Sequence, residues 1–284
     1  MAGNRLLAYS MQCRCLVSTY RLLYFHSSRV SGRLVTCSKY IMQSDAKAYD
    51  ELNQPQYEAG CKFINEVNLS PGVKVLDMGC GTGNLTKYIA DIVGSFGKTV
   101  GIDPDVERIK IAQEKYQEVD NLQFHVGDSV TGFPNENSPY YDVHITMNAF
   151  HWFPHEHKRI YIQKAYKSLK SGGKLVILCT DKFGPERADH SEVLGTHYLT
   201  KDEMKKLFYE IGLFSEVVIS QIVLTANFKS YEILKRWTKA STHRDIEELD
   251  PAYVKETMAE VATFHDDGSI VLIIPCLHIT AIKQ

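Results

Sequence analysis

Asp77, Gly79, Gly81 and Gly83 stand two residues apart, directly after the apolar run Val73, Val75 and Leu76. Glycines at alternate positions suit a tight strand-to-helix turn, because that turn needs unusual dihedrals and lets a ligand touch backbone with no side chain between. Asp103 ends the next apolar run, Thr99-Val-Gly-Ile-Asp, 20 residues after Gly83. A carboxylate at that place can hold both hydroxyls of a ribose. An acid ahead of the glycines and a second acid closing the following strand together describe a site for a nucleoside-bearing cofactor.

The dinucleotide fingerprint requires glycine at its first, third and sixth positions. Counted from Gly79, the sixth position is Asn84, so that pattern fails. The stretch resembles motif I of the class I S-adenosylmethionine-dependent methyltransferases. The resemblance implies that Asp77 faces the methionyl amino group of S-adenosylmethionine. It also implies that Cys80, Pro104, Ser129 and Asn148 line the same cleft. Phe124-His-Val-Gly-Asp-Ser129 is similar to the family's third strand and its loop, which places Asp128 to accept from the adenine amino group. Read without the resemblance, Asp128 is a turn residue or helix cap. Tyr141-Asp-Val-His-Ile-Thr-Met147 and Leu169 to Leu178 are similar to the fourth and fifth strands. The likeness runs over about residues 45–284, and the Asp77–Gly83 turn is its most specific part.

The elements that must position these residues alternate. Apolar residues recur at helical spacing over Asp45–Val67, Asn84–Val93, Asp105–Gln117 and Lys158–Leu169, with strands between them. That order predicts an α/β fold with a doubly wound, mostly parallel sheet. The resemblance makes it seven-stranded and Rossmann-like, with an antiparallel closing strand. Thr200 and Glu203 form a capping box at the start of another helix. The β-rich runs Ser215–Leu224 and Ile270–Ile282 are expected to close the sheet, and Pro275 to mark a bulge or an edge. Between them, residues 225–268 read as an insertion of two helices, Ser230–Ala240 and Asp245–Phe264, placed as a lid over the substrate. Tyr231, Leu234, Trp237, Tyr253 and Phe264 either wall an apolar pocket or pack the insertion onto the sheet.

Residues 1–44 differ from the rest: six Arg and Lys, no Asp or Glu, and seven serines. That is the composition of a mitochondrial transit peptide, which makes the expected location mitochondrial, and cytoplasmic if translation starts at Met42. The chain holds 32 Lys+Arg against 34 Asp+Glu, so without that leader the net charge is near −8. A surface so negative repels phosphate backbones and argues against a nucleic-acid partner. No apolar stretch reaches membrane-spanning length. The seven cysteines are scattered and suggest reduced thiols. His151, His155 and His157 have nothing converging on them, so no metal site is read.

The acceptor is narrowed by what is missing. Asn/Asp-Pro-Pro-Tyr, which the amino-directed enzymes carry after the fourth strand, is replaced by Asn148-Ala-Phe-His151, and the carboxylate cluster of the magnesium-dependent catechol type is missing. Asn148-Ala-Phe-His-Trp-Phe153 and Leu52-Asn-Gln-Pro-Gln-Tyr57 resemble elements of the juvenile hormone acid and trans-aconitate methyltransferase group. That likeness implies a small apolar substrate, with Gln56 and Trp152 orienting its carboxylate. A carboxylate has a pKa of roughly 4 and needs no base. A phenol or an enol-like carbon, as in quinone-type methylation, would need one, with His151 the candidate. The rival reading is a non-catalytic or protein-modifying assembly factor in mitochondria.

Overall fold

A computed structural model describes residues 46–181 and 195–284. The basic leader expected over residues 1–44 lies outside the described residues.

The strands are β1 (Lys74–Met78), β2 (Lys98–Asp103), β3 (Leu122–Val126), β4 (Tyr141–Met147), β5 (Leu169–Thr180), β6 (Glu216–Phe228), β7 (Ala262–Phe264) and β8 (Ile270–Ile282). They form one sheet in the order β3-β2-β1-β4-β5-β8-β6, with β7 added alongside β8. Strands β1 to β5 pair in parallel, and β8 runs antiparallel to both β5 and β6. The seven-stranded path with one antiparallel closing strand is therefore present, and short β7 makes eight. The single reversal of strand order between β1 and β4 leaves a crevice at the carboxyl ends of those strands, where ligands of such sheets bind.

Helices cover both faces. On one side α5 (His155–Ser168) and α6 (Lys201–Ile211) bury Tyr161, Ile162, Ala165, Met204 and Phe208 against Leu76, Leu175, Ile177 and Ile279. On the other, α2 (Gln54–Val67) and α3 (Asn84–Val93) bury Phe63, Ile64, Ile89 and Val93 against Val75, Ile145, Val176 and Leu178. Successive strand residues thus feed opposite cores, which is why these strands read as continuous apolar runs. The helix α4 (Val106–Lys115) is capped by Asp105, and α6 by the reciprocal Thr200–Glu203 box.

Three expectations change. The single helix over Asp45–Val67 is two, α1 (Ala46–Leu52) and α2, broken at Asn53 because Pro55 enters the first turn of α2. The second insertion helix is shorter and divided. After α7 (Tyr231–Thr242) come a 3-10 turn at Ile246–Glu248, α8 (Pro251–Val261) and then strand β7. Asp250 caps α8 and Pro251 opens it, a start signal inside what had read as one helix. Finally, the two readings of Pro275 narrow to the edge: it makes no bulge, since β6 and β8 stay in register from Glu216↔Ile282 to Phe228↔Ile270. It ends the β5–β8 ladder instead: Asp181 N donates to Pro275 O at 3.0 Å, and proline has no N–H to return. The flank of β8 that β5 gives up is taken by β7, opposite Ile270–Leu272.

Candidate functional site

The turn after β1 is locked to β2 by backbone bonds and by one side chain, Asp103. Gly79 and Cys80 amides both donate to Ile102 O, at 2.7 and 3.0 Å. Gly81 N donates to Asp103 Oδ2 at 2.9 Å, and Asp105 N to Asp103 Oδ1 at 2.9 Å. Each carboxylate oxygen of Asp103 is thus fixed by one N–H and keeps a second lone-pair direction. Asp77 is buried beside it, accepting from Thr86 Oγ1 at 2.8 Å. Burial pushes the Asp77 carboxyl up to about 7, against the Thr86 bond and with help from the Asp103 charge. Burial also raises Asp103, and the Arg108 guanidinium opposes it.

These groups open onto a cavity of about 610 Å³. Its wall includes Asp77, Gly79, Cys80, Asp103, Pro104, Asp128, Ser129 and Asn148, all expected from the sequence to contact cofactor. Gly81 and Gly83 do not reach it. A Cβ on Gly81 would stand 2.9 Å from the Tyr49 ring, and one on Gly83 2.5 Å from the Phe124 ring. Their small size serves the approach of α1 and the packing of α3 on β3, so neither offers open backbone to a ligand. Gly79 is also constrained: its Cβ would fall 2.2 Å from the Ala149 Cβ.

Asp128 has a double position. It lines the cavity, but its Oδ1 accepts from Val130 N at 2.7 Å and Thr131 N at 2.6 Å. Burial alone would raise its pKa, yet those amides hold it below the usual carboxylate range. The turn-residue reading therefore accounts for one oxygen.

Beyond β4, a 3-10 turn at Phe150–Trp152 carries His151 and Trp152 to the wall. His151 is buried, stacks on Tyr198 at 5.6 Å and receives the Thr180 amide on Nδ1 at 3.5 Å. Burial, with the nearby Lys158 charge, lowers its pKa to about 3. The imidazole is therefore neutral and a weak base, a poorer proton acceptor than its position in the sequence suggests. Gln56 lines the cavity from α2, and its Oε1 is buried with no hydrogen-bond partner. Trp237, Ser241 and Val261 from the insertion and Leu272 from β8 add to the wall; Trp237 Nε1 and Ser241 Oγ are likewise buried without partners.

Four residues were not singled out from the sequence. Tyr49 and Asp50 on α1 cover the glycine turn: Asp50 accepts from Thr82 Oγ1 at 2.7 Å and Lys115 Nζ at 2.9 Å. Asp105 and Arg108 continue the Asp103 loop into the cavity. The Asp105 cap was findable, because Pro104-Asp105 precedes an apolar-periodic run. Tyr49, Asp50 and Arg108 act across the fold and carry no local signal.

The residues present fit S-adenosylmethionine. Two buried acids stand on one wall, each Asp103 oxygen keeps an acceptor direction of the kind a ribose hydroxyl uses, and Asp105 Oδ2 is a buried acceptor with no hydrogen bond on the same wall. Gly79 sits where any side chain would collide with the far lip. An adenosyl group with a cationic methionyl end has partners for both ends here.

Residues 75–173 match the model of a methyltransferase domain family. An uncharacterized methyltransferase of Geobacillus sp. (strain WCH70) is 33% identical over 181 residues, 58% of this chain and 81% of the relative. Protein-L-isoaspartate O-methyltransferase 2 of Arabidopsis thaliana is 32% identical over 134 residues, 44% of this chain and 40% of the relative. The chain spans about half the length of several curated relatives it matches. Among solved structures, the YcgJ protein from Bacillus subtilis superposes with a TM-score of 0.57 at 17% identity, covering 79% of this chain and 98% of that one. At that identity the likeness speaks for the fold. With the Geobacillus relative covered over most of its length, the chain belongs to the S-adenosylmethionine-dependent methyltransferase family.

Proposed function

We propose that this protein methylates a carboxylate oxygen of a small, largely apolar molecule. The observation that carries the reading is His151. It is the group best placed beyond β4 to remove a proton, yet burial holds it neutral with a pKa of about 3. An acceptor already ionised at neutral pH fits such a site better than a phenol, which needs a base.

When bound, S-adenosylmethionine supplies an electrophilic methyl group on a sulfonium. The chain's own residues align and exclude. In this reading Asp103, fixed by the Gly81 and Asp105 amides, takes the ribose hydroxyls, and Asp77 the methionyl ammonium. Gln56 and the Trp152 indole orient the acceptor, and Leu224, Ala226, Val261, Leu272 and Ile274 give its apolar body a dry wall. In-line displacement then rests on alignment, the term that held geometry supplies. The insertion acts as the lid.

The test is incubation with methyl-labelled cofactor and a panel of medium-chain carboxylates and phenols. The expected product is a methyl ester that releases label as methanol in alkali. His151→Asn should keep the rate within several-fold. Base-stable label, or a loss of about 10²–10⁴ in His151→Asn as a missing general base gives, would overturn the carboxylate reading. Calorimetry with the cofactor on Asp103→Ala tests the donor site separately: unchanged affinity would contradict it.

A further inference from the structure

We infer that Arg108 is a positioning residue that ties the ribose-side loop to the insertion, so that cofactor occupancy sets where α7 lies. The inference rests on the donor-site reading above and concerns how that site speaks to the acceptor wall.

Arg108 lies in α4, three residues after Asp105 and five after Asp103. Its side chain is 12% exposed. One Nη donates to Ala240 O, in the last turn of α7, at 3.0 Å, and stands 3.4 Å from His243 Nε2 at that helix's C-cap. The guanidinium lies over the Tyr49 ring of α1, 4.1 Å from its centroid. Its Nε is 3.5 Å from Asp105 Oδ2, close enough for an ion pair but without a hydrogen bond on either atom. Asp105 in turn gives its amide to Asp103. One planar cation therefore touches three elements that share no local sequence: the Asp103 loop, the N-terminal helix and the end of the insertion helix. Such a fork holds its partners in fixed directions, which the rotating ammonium of a lysine does not. A cation at the carbonyl end of α7 also complements that helix's dipole.

The mechanical consequence follows from what α7 carries. Trp237 and Ser241 lie four residues apart on one face of α7, line the cavity, and present buried polar atoms without partners. Any ligand hydroxyl taken up at Asp103 and Asp105 competes for the atoms that face Arg108. A shift of Arg108 is a shift of Ala240 and of the Trp237 face, one helical turn away. Glu51 on α1 and Arg236 on α7, 3.9 Å apart, make the same junction at a second point.

The protein has two tryptophans, and both line this cavity. In Trp152→Phe the remaining emission reports Trp237 on α7. Titration with S-adenosylhomocysteine should change that emission, saturating at the calorimetric Kd. Adding Arg108→Gln should leave calorimetric binding weakened by no more than about tenfold, a coupling-sized effect, while the emission change is largely lost. Arg108→Lys, which keeps the charge and one donor, should restore part of it and serves if the glutamine variant fails to fold. An undiminished Trp237 response in both Arg108 variants, or a silent Trp237 while calorimetry shows binding, would overturn the coupling. No calorimetric binding by the parent protein would instead overturn the donor-site reading, and this inference with it.

Discussion

The turn that follows β1 and the insertion between β6 and β8 face the same cavity, yet they are held by different means. The turn is fixed by backbone bonds to β2, by Asp103, and by contacts in which an added methyl would collide with Ala149, Tyr49 or Phe124. The insertion rests on few buried side chains: α7 buries Leu234 and Ala240, and α8 buries none. Its own cluster is small, built on Phe228, Leu234, Ile270 and Leu272. The β1-turn half of the cavity is preorganised, whereas the insertion half is a surface element pinned at a few points, Arg108 among them. A site so divided can bind its donor in a rigid cleft and adapt its other wall to the acceptor.

Hydrogen exchange offers the sharpest break. Segments with little buried area open locally, while central strands exchange only on global unfolding. Amides of α8 should exchange at least about 10³-fold faster than those of β1 and β4, a difference of about 4 kcal/mol in opening free energy. Equal protection would show that the insertion is as firmly built as the sheet and would remove the contrast.

Gly79→Ala probes the rigid side. The residue has φ +85°, and its new Cβ would lie 2.2 Å from the Ala149 Cβ. Left-handed strain and overpacking together should cost about 2–4 kcal/mol of stability. Denaturant unfolding should show the loss, and calorimetry should show no cofactor binding in the folded fraction. A variant of parent stability would mean that the turn is softer than its bonds to Ile102 imply.

The next effect is electrostatic. The Asp77 carboxyl is raised from 3.8 to about 7, chiefly by burial. Between these values the folded state holds more proton than the unfolded state. The stability that Asp77 contributes is therefore fully present below about pH 3.8 and is lost as pH rises through about 7. Asp77→Asn should flatten the unliganded stability profile in that window. Cofactor affinity runs the other way, because the methionyl ammonium favours the ionised carboxylate. Below pH 7 affinity should fall by about tenfold per unit, as one-proton linkage requires. Calorimetry at a series of pH values checks both signs, and a flat affinity profile in the parent would remove Asp77 from the donor site.

How much of this was legible depended on the range over which each feature acts. The Asp77–Asp103 frame, the alternation of strands and helices and the Thr200 cap were readable because short-range sterics, periodicity and capping set them. The roles of Gly81 and Gly83 were not. A glycine that lets a ligand approach and one that admits Tyr49 or Phe124 look alike in sequence, and only the partner tells them apart. The basicity of His151 was equally illegible, since it is decided by burial and by the nearby Lys158. Asp50 and the link from Arg108 to Ala240 and His243 were invisible because the partners lie 32 to 135 residues away. The split of the second insertion helix could have been read from Asp250-Pro251, a cap followed by a first-turn proline.

The smallest prediction compares the two regions through a shared backbone shape. Gly268, in the turn that joins β7 to β8 at the end of the insertion, has φ +83°, close to that of Gly79. A Cβ there would meet nothing within 4 Å. Gly268→Ala therefore carries the dihedral strain without the collision, and should cost about 1–2 kcal/mol. Cofactor affinity should not change, because the turn touches no wall of the cavity. The difference between the Gly79 and Gly268 variants in denaturant unfolding then isolates the steric contribution of Ala149 from the strain both share. If the two alanine variants lose equal stability, dihedral strain accounts for the whole effect, and the close approach of Ala149 is relieved by movement of the loop after β4. In that case Asn148, His151 and Trp152 stand on a softer support than their burial implies.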